Sequence, residues 1–335
     1  MRCTVLGAGA WGTALACHLA RQHDVMLWAR RADLVTQIRA ASENEQYLPG
    51  VALQPDISIT DQFDEALTFA GDDGLIVLAT PIAALGQTLD LMAGRVAQGG
   101  TLSALVGVSK GIDTYTGLLP HQLSEQHLGE HPFAVLSGPS FALEVGKGLP
   151  CALVAASTDA ALGDRVQSVF HHSAMRIYLS EDLLGVELAG ALKNVMALAA
   201  GIADGLQLGD NARAALVTRG LAEMTRLGVA LGAQPATFMG LAGLGDLMLT
   251  CAGGLSRNRR VGLLLAKGEP IKSITESLGH VAEGVPCCAA ALALAQAKGV
   301  EMPIANAVQA VIDQRQLPGD AVSQLLARDP ANEQQ

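Results

Sequence analysis

The chain has 335 residues, is 50% hydrophobic and only 3% aromatic, and carries a formal net charge of −10. That length allows two domains and a sizeable core. The acidic balance excludes non-specific nucleic-acid binding, so a phosphate ligand would need cations gathered locally.

Thr4–Leu6 reads as a buried first strand, and Gly7-Ala8-Gly9-Ala10-Trp11-Gly12 follows it directly. This G-x-G-x-x-G runs into a helical segment from Thr13 to Arg21. Gly7 permits the tight turn, Gly9 lets backbone approach a pyrophosphate, and Gly12 lets the helix pack on the strand. Ala14-Leu15-Ala16-Cys17 imitates a signal-peptide cleavage site or lipobox. The three glycines break the apolar run such a segment needs, so the mature chain is expected to start at Met1.

Further apolar runs follow at Val25–Trp28, Gly74–Ala79, Leu102–Gly107, Phe133–Leu136, Cys151–Ala156 and Met175–Leu179. Continuous runs suit strands covered on both faces and predict a doubly wound, mainly parallel sheet. Beyond Ser180 the pattern is helical, punctuated by Gly201, Gly205, Gly228, Gly232 and Gly240. The expected fold is α/β, a Rossmann-like dinucleotide-binding domain over 1–185 followed by an all-α substrate-binding domain over 186–330. Leu183–Ala203 carries Glu187, Lys193 and Asn194 and reads as a buried core helix, not a membrane span. The polar tail Arg328–Gln335 is expected to fray.

The six cysteines form no C-x-x-C, and adjacent Cys287 and Cys288 would close only a strained ring. Reduced thiols and a cytoplasmic location are expected. The histidines show no metal-ligand spacing, so no metal is expected.

After the second strand, no acid stands where an NAD-type fold places one; Arg30 and Arg31 stand there, with Asp33 beyond. A guanidinium can hold a 2′-phosphate, which favours NADPH. The alternative is that both arginines are solvated and Asp33 takes the ribose hydroxyls. Thr80-Pro81, Lys110-Gly111 and Gly138-Pro139-Ser140 end strands at the carboxyl edge, where ligands bind in open α/β sheets. On spacing alone, Lys110 fits a ligand contact and a solvated loop equally well. Lys193 lies in a helix apolar on most faces, and burial would lower its pKa toward proton transfer. The alternative is a lysine snorkelling to the surface or paired with a structural acid. Gly240–Cys251 brings Asp246 and Thr250, and Ser256-Arg257-Asn258-Arg259-Arg260 follows. This is either an anion site or a turn with a capped helix whose Arg259 and Arg260 face solvent.

These stretches resemble the bacterial NAD(P)-dependent glycerol-3-phosphate dehydrogenases. The resemblance is carried by Gly7–Ala16, Ser109-Lys110-Gly111, Ser137–Ala142, Leu192-Lys193-Asn194-Val195, Gly243–Leu247, Ser256-Arg257-Asn258 and Val281-Ala282-Glu283-Gly284. It implies reversible reduction of dihydroxyacetone phosphate to sn-glycerol 3-phosphate, the backbone for phospholipid synthesis. NADPH is the implied cofactor, with NADH also accepted. Lys193 matches the family's proton donor and acceptor. Lys110, Gly138, Ser140, Asp246, Ser256, Arg257 and Asn258 match substrate positions, with Thr250 a looser member; Asn194, beside Lys193, can fix a substrate oxygen. Ala10, Trp11, Arg30, Arg31, Lys110, Ala142, Arg257, Val281 and Glu283 match cofactor positions, beside the loop glycines Gly7, Gly9 and Gly12. Two departures stand out: Ala10 where the family often has Ser, and Leu78-Ala79-Thr80-Pro81 where Val-Pro-Ser is commoner. A homodimer is expected from the Ala-rich helical half. A different reductase on this architecture and a non-catalytic dinucleotide sensor are the competing readings.

Overall fold

The computed structural model describes residues 1–278 and 282–327. Val281 and the tail from Arg328 lie outside the described residues. The chain divides into two compact units, 1–113 with 118–187, and 114–117 with 188–335.

The first unit holds an eight-stranded sheet: β1 (Arg2–Leu6), β2 (Asp24–Trp28), β3 (Ser58–Thr60), β4 (Leu75–Leu78), β5 (Ala104–Gly107), β6 (Phe133–Ser137), β7 (Cys151–Ala156) and β8 (Met175–Ser180). The spatial order is β3-β2-β1-β4-β5-β6-β7-β8. Only the β6–β7 pairing is antiparallel. β1 and β4 are buried at successive positions, hence on both faces. Thr4 in β1 donates its hydroxyl to the Ala66 carbonyl at 2.7 Å, so its burial leaves no unmet donor. Leu6 pairs with both Trp28 and Leu78, and Leu78 with Gly107. That register brings the carboxyl ends of β1, β2, β4 and β5 to one level, with the order reversing at β1 and β4.

β3 escaped the sequence pattern because Ser-Ile-Thr offers a single apolar residue. At the opposite edge, His171 Nδ1 accepts from the Ile177 N–H at 3.2 Å and Gln167 donates to its carbonyl at 2.9 Å. Side chains thereby occupy backbone groups of β8 that would otherwise template another strand.

The second unit is helical. Helix Leu183–Gly205 is long and apolar enough to cross a membrane, yet 94% of its most apolar window is buried inside the protein. It is a core helix, as its sequence predicts. Gly201 and Gly228 do not interrupt helices, contrary to their expected punctuating role. A Cβ on Gly201 would stand 2.1 Å from the Arg259 carbonyl oxygen, and one on Gly228 2.1 Å from the Phe238 ring. Glycine stands at these helical positions because tight packing leaves no room for a side chain. Gly232, at φ +106°, does end its helix. Buried Glu223 accepts from the Ile304 N–H at 2.7 Å and caps the helix Pro303–Ile312.

All six cysteines are free. In the first unit, His18 donates from Nε2–H to the Phe170 carbonyl oxygen at 2.9 Å, since a carbonyl can only accept. Its ring stacks on His172 at 4.0 Å, and His23 meets His172 edge-on at 5.7 Å. Burial pushes His18 down to about 4, against the hydrogen bond to Phe170, with His172, Arg21 and His23 adding repulsion. The unfolded imidazole titrates near 6.5, so the folded state binds fewer protons between these values. Stability therefore falls as pH drops through that window. His18 alone should cost about 2 kcal/mol between roughly pH 7 and pH 5. Urea unfolding at the two pH values measures the loss, and His18→Gln should remove most of it.

Candidate active site

In the first unit, β1 runs into the glycine loop and then into helix Ala10–Leu19. The helix begins three residues earlier than its apolar pattern predicted, because Gly9 is its N-cap and Thr13 N–H already bonds to Gly9 O at 2.9 Å. Gly7 has φ +122°, and its N–H bonds to Trp28 O at 3.0 Å. A Cβ there would meet Ala79 O at 2.7 Å. One on Gly12 would meet Gly7 O at 2.0 Å, whereas one on Gly9 would meet nothing within 4 Å. The helix N-terminus has no side-chain cap and no acid in its first turn. Trp11 Nε1 is a buried donor with no hydrogen-bond partner. Open space over Gly9, uncapped N–H groups and an unmet donor fit a pyrophosphate-bearing cofactor. Ala10, the first helical residue, offers it backbone alone.

Sequence reasoning missed Asn44. It is fully buried and donates from Nδ2 to Ala8 O at 2.9 Å and to Thr13 Oγ1 at 2.8 Å. It thereby ties the glycine loop to the helix behind it. No spacing signal marks it, since it lies in a polar stretch remote from the loop.

Arg30 and Arg31 follow the end of β2 and are exposed. Arg31 is engaged in a fork with Asp33: Nε donates to Oδ1 at 3.0 Å and NH2 to Oδ2 at 2.5 Å. Arg31 and Asp33 hold each other ionised, each shifted chiefly by their hydrogen bond. Beyond β5 and β6, Lys110 Nζ donates to Gly138 O at 3.2 Å, and Ser140 Oγ donates to the same oxygen at 2.9 Å. Gly138 has φ +141°, a conformation that selects glycine. Ala142 opens the short helix that follows.

In the second unit, Lys193 is 7% exposed and Asp246 1%. Lys193 Nζ lies 2.5 Å from Asp246 Oδ1 and 2.9 Å from Thr250 Oγ1. Thr250 in turn donates its hydroxyl to Asp246 O at 2.6 Å, leaving a lone pair toward the lysine. Lys193 is thus a buried lysine with a carboxylate partner. Burial alone favours its neutral amine, and the adjacent carboxylate favours the ammonium. Asp246 opens helix Asp246–Ala252 just after a π-helical turn, Leu241–Gly245. Such turns recur at functional sites.

Asn194, the next residue, accepts at Oδ1 from Asn258 Nδ2 at 2.9 Å. Asn258 Oδ1 accepts from Gly284 N–H at 3.0 Å. Asn258 therefore links the Lys193 helix to the segment bearing Glu283, a connection its sequence position did not reveal. Ser256 is the N-cap of helix Arg257–Ala266, its Oγ accepting from Arg259 N–H at 3.2 Å. Arg257 is exposed in that first turn. Arg259 does not face solvent as one reading held; its guanidinium pairs with Asp204 at 2.6 Å. No group of three His, Cys, Asp or Glu suited to a metal occurs among the described residues.

The family model described as NAD-dependent glycerol-3-phosphate dehydrogenase N-terminus matches residues 2–163, and the corresponding C-terminus model matches residues 182–323. Glycerol-3-phosphate dehydrogenase (NAD(P)+) of Ralstonia nicotianae is 54% identical over 335 residues, covering 98% of this chain and 98% of its own. The protein of that name from Paucimonas lemoignei is 53% identical, covering 99% of this chain and 98% of its own. The crystal structure of glycerol-3-phosphate dehydrogenase from Coxiella burnetii matches with a TM-score of 0.92 at 38% identity, covering 98% of this chain and 99% of that one.

The glycine loop yields a paired test. Gly9→Ala should shift folding stability by less than about 1 kcal/mol, because nothing opposes its Cβ. It should nevertheless weaken dinucleotide binding, since the methyl enters the open space. Gly12→Ala should cost about 1–3 kcal/mol through forced displacement of Gly7. Thermal unfolding and cofactor fluorescence titration of both variants separate the two effects.

Proposed function

The chain belongs to the NAD-dependent glycerol-3-phosphate dehydrogenase family, and from that premise we propose that it reversibly reduces dihydroxyacetone phosphate to sn-glycerol 3-phosphate with NADPH or NADH. The product is the backbone of phospholipids. The single observation that carries the assignment is the buried Lys193–Asp246–Thr250 cluster. The residues of 1–185 serve as the dinucleotide domain and those of 186–330 as the substrate domain.

A nicotinamide cofactor held by the first unit would supply hydride to the ketone carbon. Lys193, as ammonium, gives a proton to the oxygen on which negative charge develops, and as amine removes it in the reverse direction. Asp246 and Thr250 fix two of its N–H directions, so the ammonium meets the substrate already oriented. Asn194 donates to the same substrate oxygen, its amide held the right way round by Asn258. In the first unit, Lys110 is the cation assigned to the substrate's developing charge, with Gly138 and Ser140 shaping the loop it contacts. Arg257, exposed at an N-capped helix start, holds the phosphate with the N–H groups of that turn and with Ser256. Gly7, Gly9, Ala10, Trp11 and Gly12 take the pyrophosphate, and Arg30 and Arg31 the adenosine end. Ala142 and Glu283 complete the cofactor contacts; Val281 is assigned by sequence match alone.

Exposed Met239, Met248 and Leu255 on the helical unit support assembly as a homodimer. The six free thiols accord with a cytoplasmic location.

Absorbance at the nicotinamide band, followed with dihydroxyacetone phosphate and NADPH, tests the assignment directly. Lys193→Met should lower kcat by about 100-fold or more while retaining NADPH binding, which reports that the variant is folded. Undiminished turnover would remove Lys193 from proton transfer. Arg257→Ala should raise KM for dihydroxyacetone phosphate by roughly 10-fold or more, the loss expected for one charge-assisted phosphate contact.

A further inference from the structure

The turn after β2 sets two arginines and one carboxylate beside each other. Arg31 presents two guanidinium donors to both oxygens of Asp33, at 3.0 and 2.5 Å. This is the bidentate arrangement a phosphate would adopt on the same guanidinium. Both side chains are open to solvent, Arg31 at 44% and Asp33 at 59% exposure. Asp33 lies in the first turn of helix Ala32–Ala41, where the helix N-terminus favours its negative charge. Tyr47 also interacts with Arg31.

We propose that Asp33 sets the choice between NADPH and NADH by competing with the adenosine 2′-phosphate for Arg31. This rests on the dinucleotide reading above and refines it. An NADPH 2′-phosphate must displace the Asp33 carboxylate from the guanidinium fork, and it meets that carboxylate's charge as it does so. NADH carries a hydroxyl at this position and displaces nothing. An exposed ion pair is weak, so Asp33 lowers NADPH affinity without preventing NADPH from binding. The same carboxylate therefore keeps the two cofactors closer in affinity than a pair of unengaged arginines would.

The test is fluorescence titration of the full-length protein with NADPH and with NADH, for wild type, Asp33→Asn, Arg31→Ala and the double variant. Asp33→Asn should tighten NADPH about threefold, the size expected for releasing one exposed ion pair. NADH affinity should change less than about twofold, within the scatter of a surface substitution. In the Arg31→Ala background the gain from Asp33→Asn should mostly vanish, because Asp33 acts through Arg31. An unchanged NADPH-to-NADH ratio in Asp33→Asn overturns the proposal. So does a selective loss of NADH binding that persists without Arg31, which would make Asp33 a direct ribose ligand. Failure of the wild-type protein to bind either cofactor overturns the dinucleotide reading itself, and this proposal with it.

Discussion

Backbone lies against backbone at the points where this protein holds its functional groups, and no Cβ fits there. A methyl on Gly12 would come within 2.0 Å of Gly7 O, and one on Gly7 within 2.7 Å of Ala79 O. Those two contacts lock the turn after β1 against the end of β4. In the helical unit, a Cβ on Gly262 would stand 2.2 Å from Leu198 O, and one on Gly284 2.6 Å from Asn194 O. The helix carrying Lys193 and Asn194 is thus approached by two other segments at backbone distance. Interiors packed this closely transmit small displacements instead of absorbing them. The positions of Lys193 and of the glycine loop are therefore consequences of missing side chains as much as of present ones.

The second constraint is electrostatic. An acidic chain gains little from scattered cations, and it places one lysine where water is nearly absent. A buried ion pair recovers its desolvation cost only when its remaining hydrogen-bonding capacity is also met. Thr250 contributes here, since its hydroxyl satisfies the Asp246 carbonyl while its lone pair receives Lys193. Replacing such a pair with apolar residues is often neutral or stabilising. The cluster's net contribution to stability is therefore small, which accords with the proton-transfer role proposed for it. Asn194 and Asn258 follow the same rule, with each amide oriented by a partner instead of by water.

Much of this was legible in the sequence, for identifiable reasons. Strands buried on both faces give unbroken apolar runs, so β1, β2 and β4 to β8 were visible. β3 was not, because pairing with β2 creates that strand from three residues with one apolar side chain. The glycines of the loop showed their roles because a tight turn constrains sequence locally. Gly201 and Gly228 misled, since a glycine in a helix reads as a break until the neighbouring element that excludes its Cβ is known. Partnerships between distant residues had no local pattern to show them, although pairing of Lys193 with an acid was one open reading. Nothing in the spacing of Lys193 and Asp246, or of Asn44 and Ala8, announces contact. The sequence presents Arg31 and Asp33 only as rivals for the ribose end of a nucleotide. Their mutual fork depends on side-chain geometry that a two-residue separation does not dictate.

The polar atoms left unmet say something about what the fold is built around. Asn44, Glu223 and Asn258 are buried and fully employed in holding backbone in place. Trp11 Nε1, Thr80 Oγ1 and Ser137 Oγ are buried without partners, and they follow or end β1, β4 and β6 respectively. The pairing of β1 with β4, of β4 with β5 and of β5 with β6 ties these three strand ends into one edge of the sheet. An unmet buried donor or acceptor costs about 1–3 kcal/mol, so each of these three lowers stability unless a ligand meets it. Six further buried side-chain atoms among the described residues lack partners elsewhere, but these three stand where a parallel sheet presents its strand ends, which fits a surface shaped for a ligand's hydrogen bonds. Stability is lower there than internal pairing would allow, and the open backbone over Gly9 marks the same compromise between a closed core and a site that must admit a cofactor.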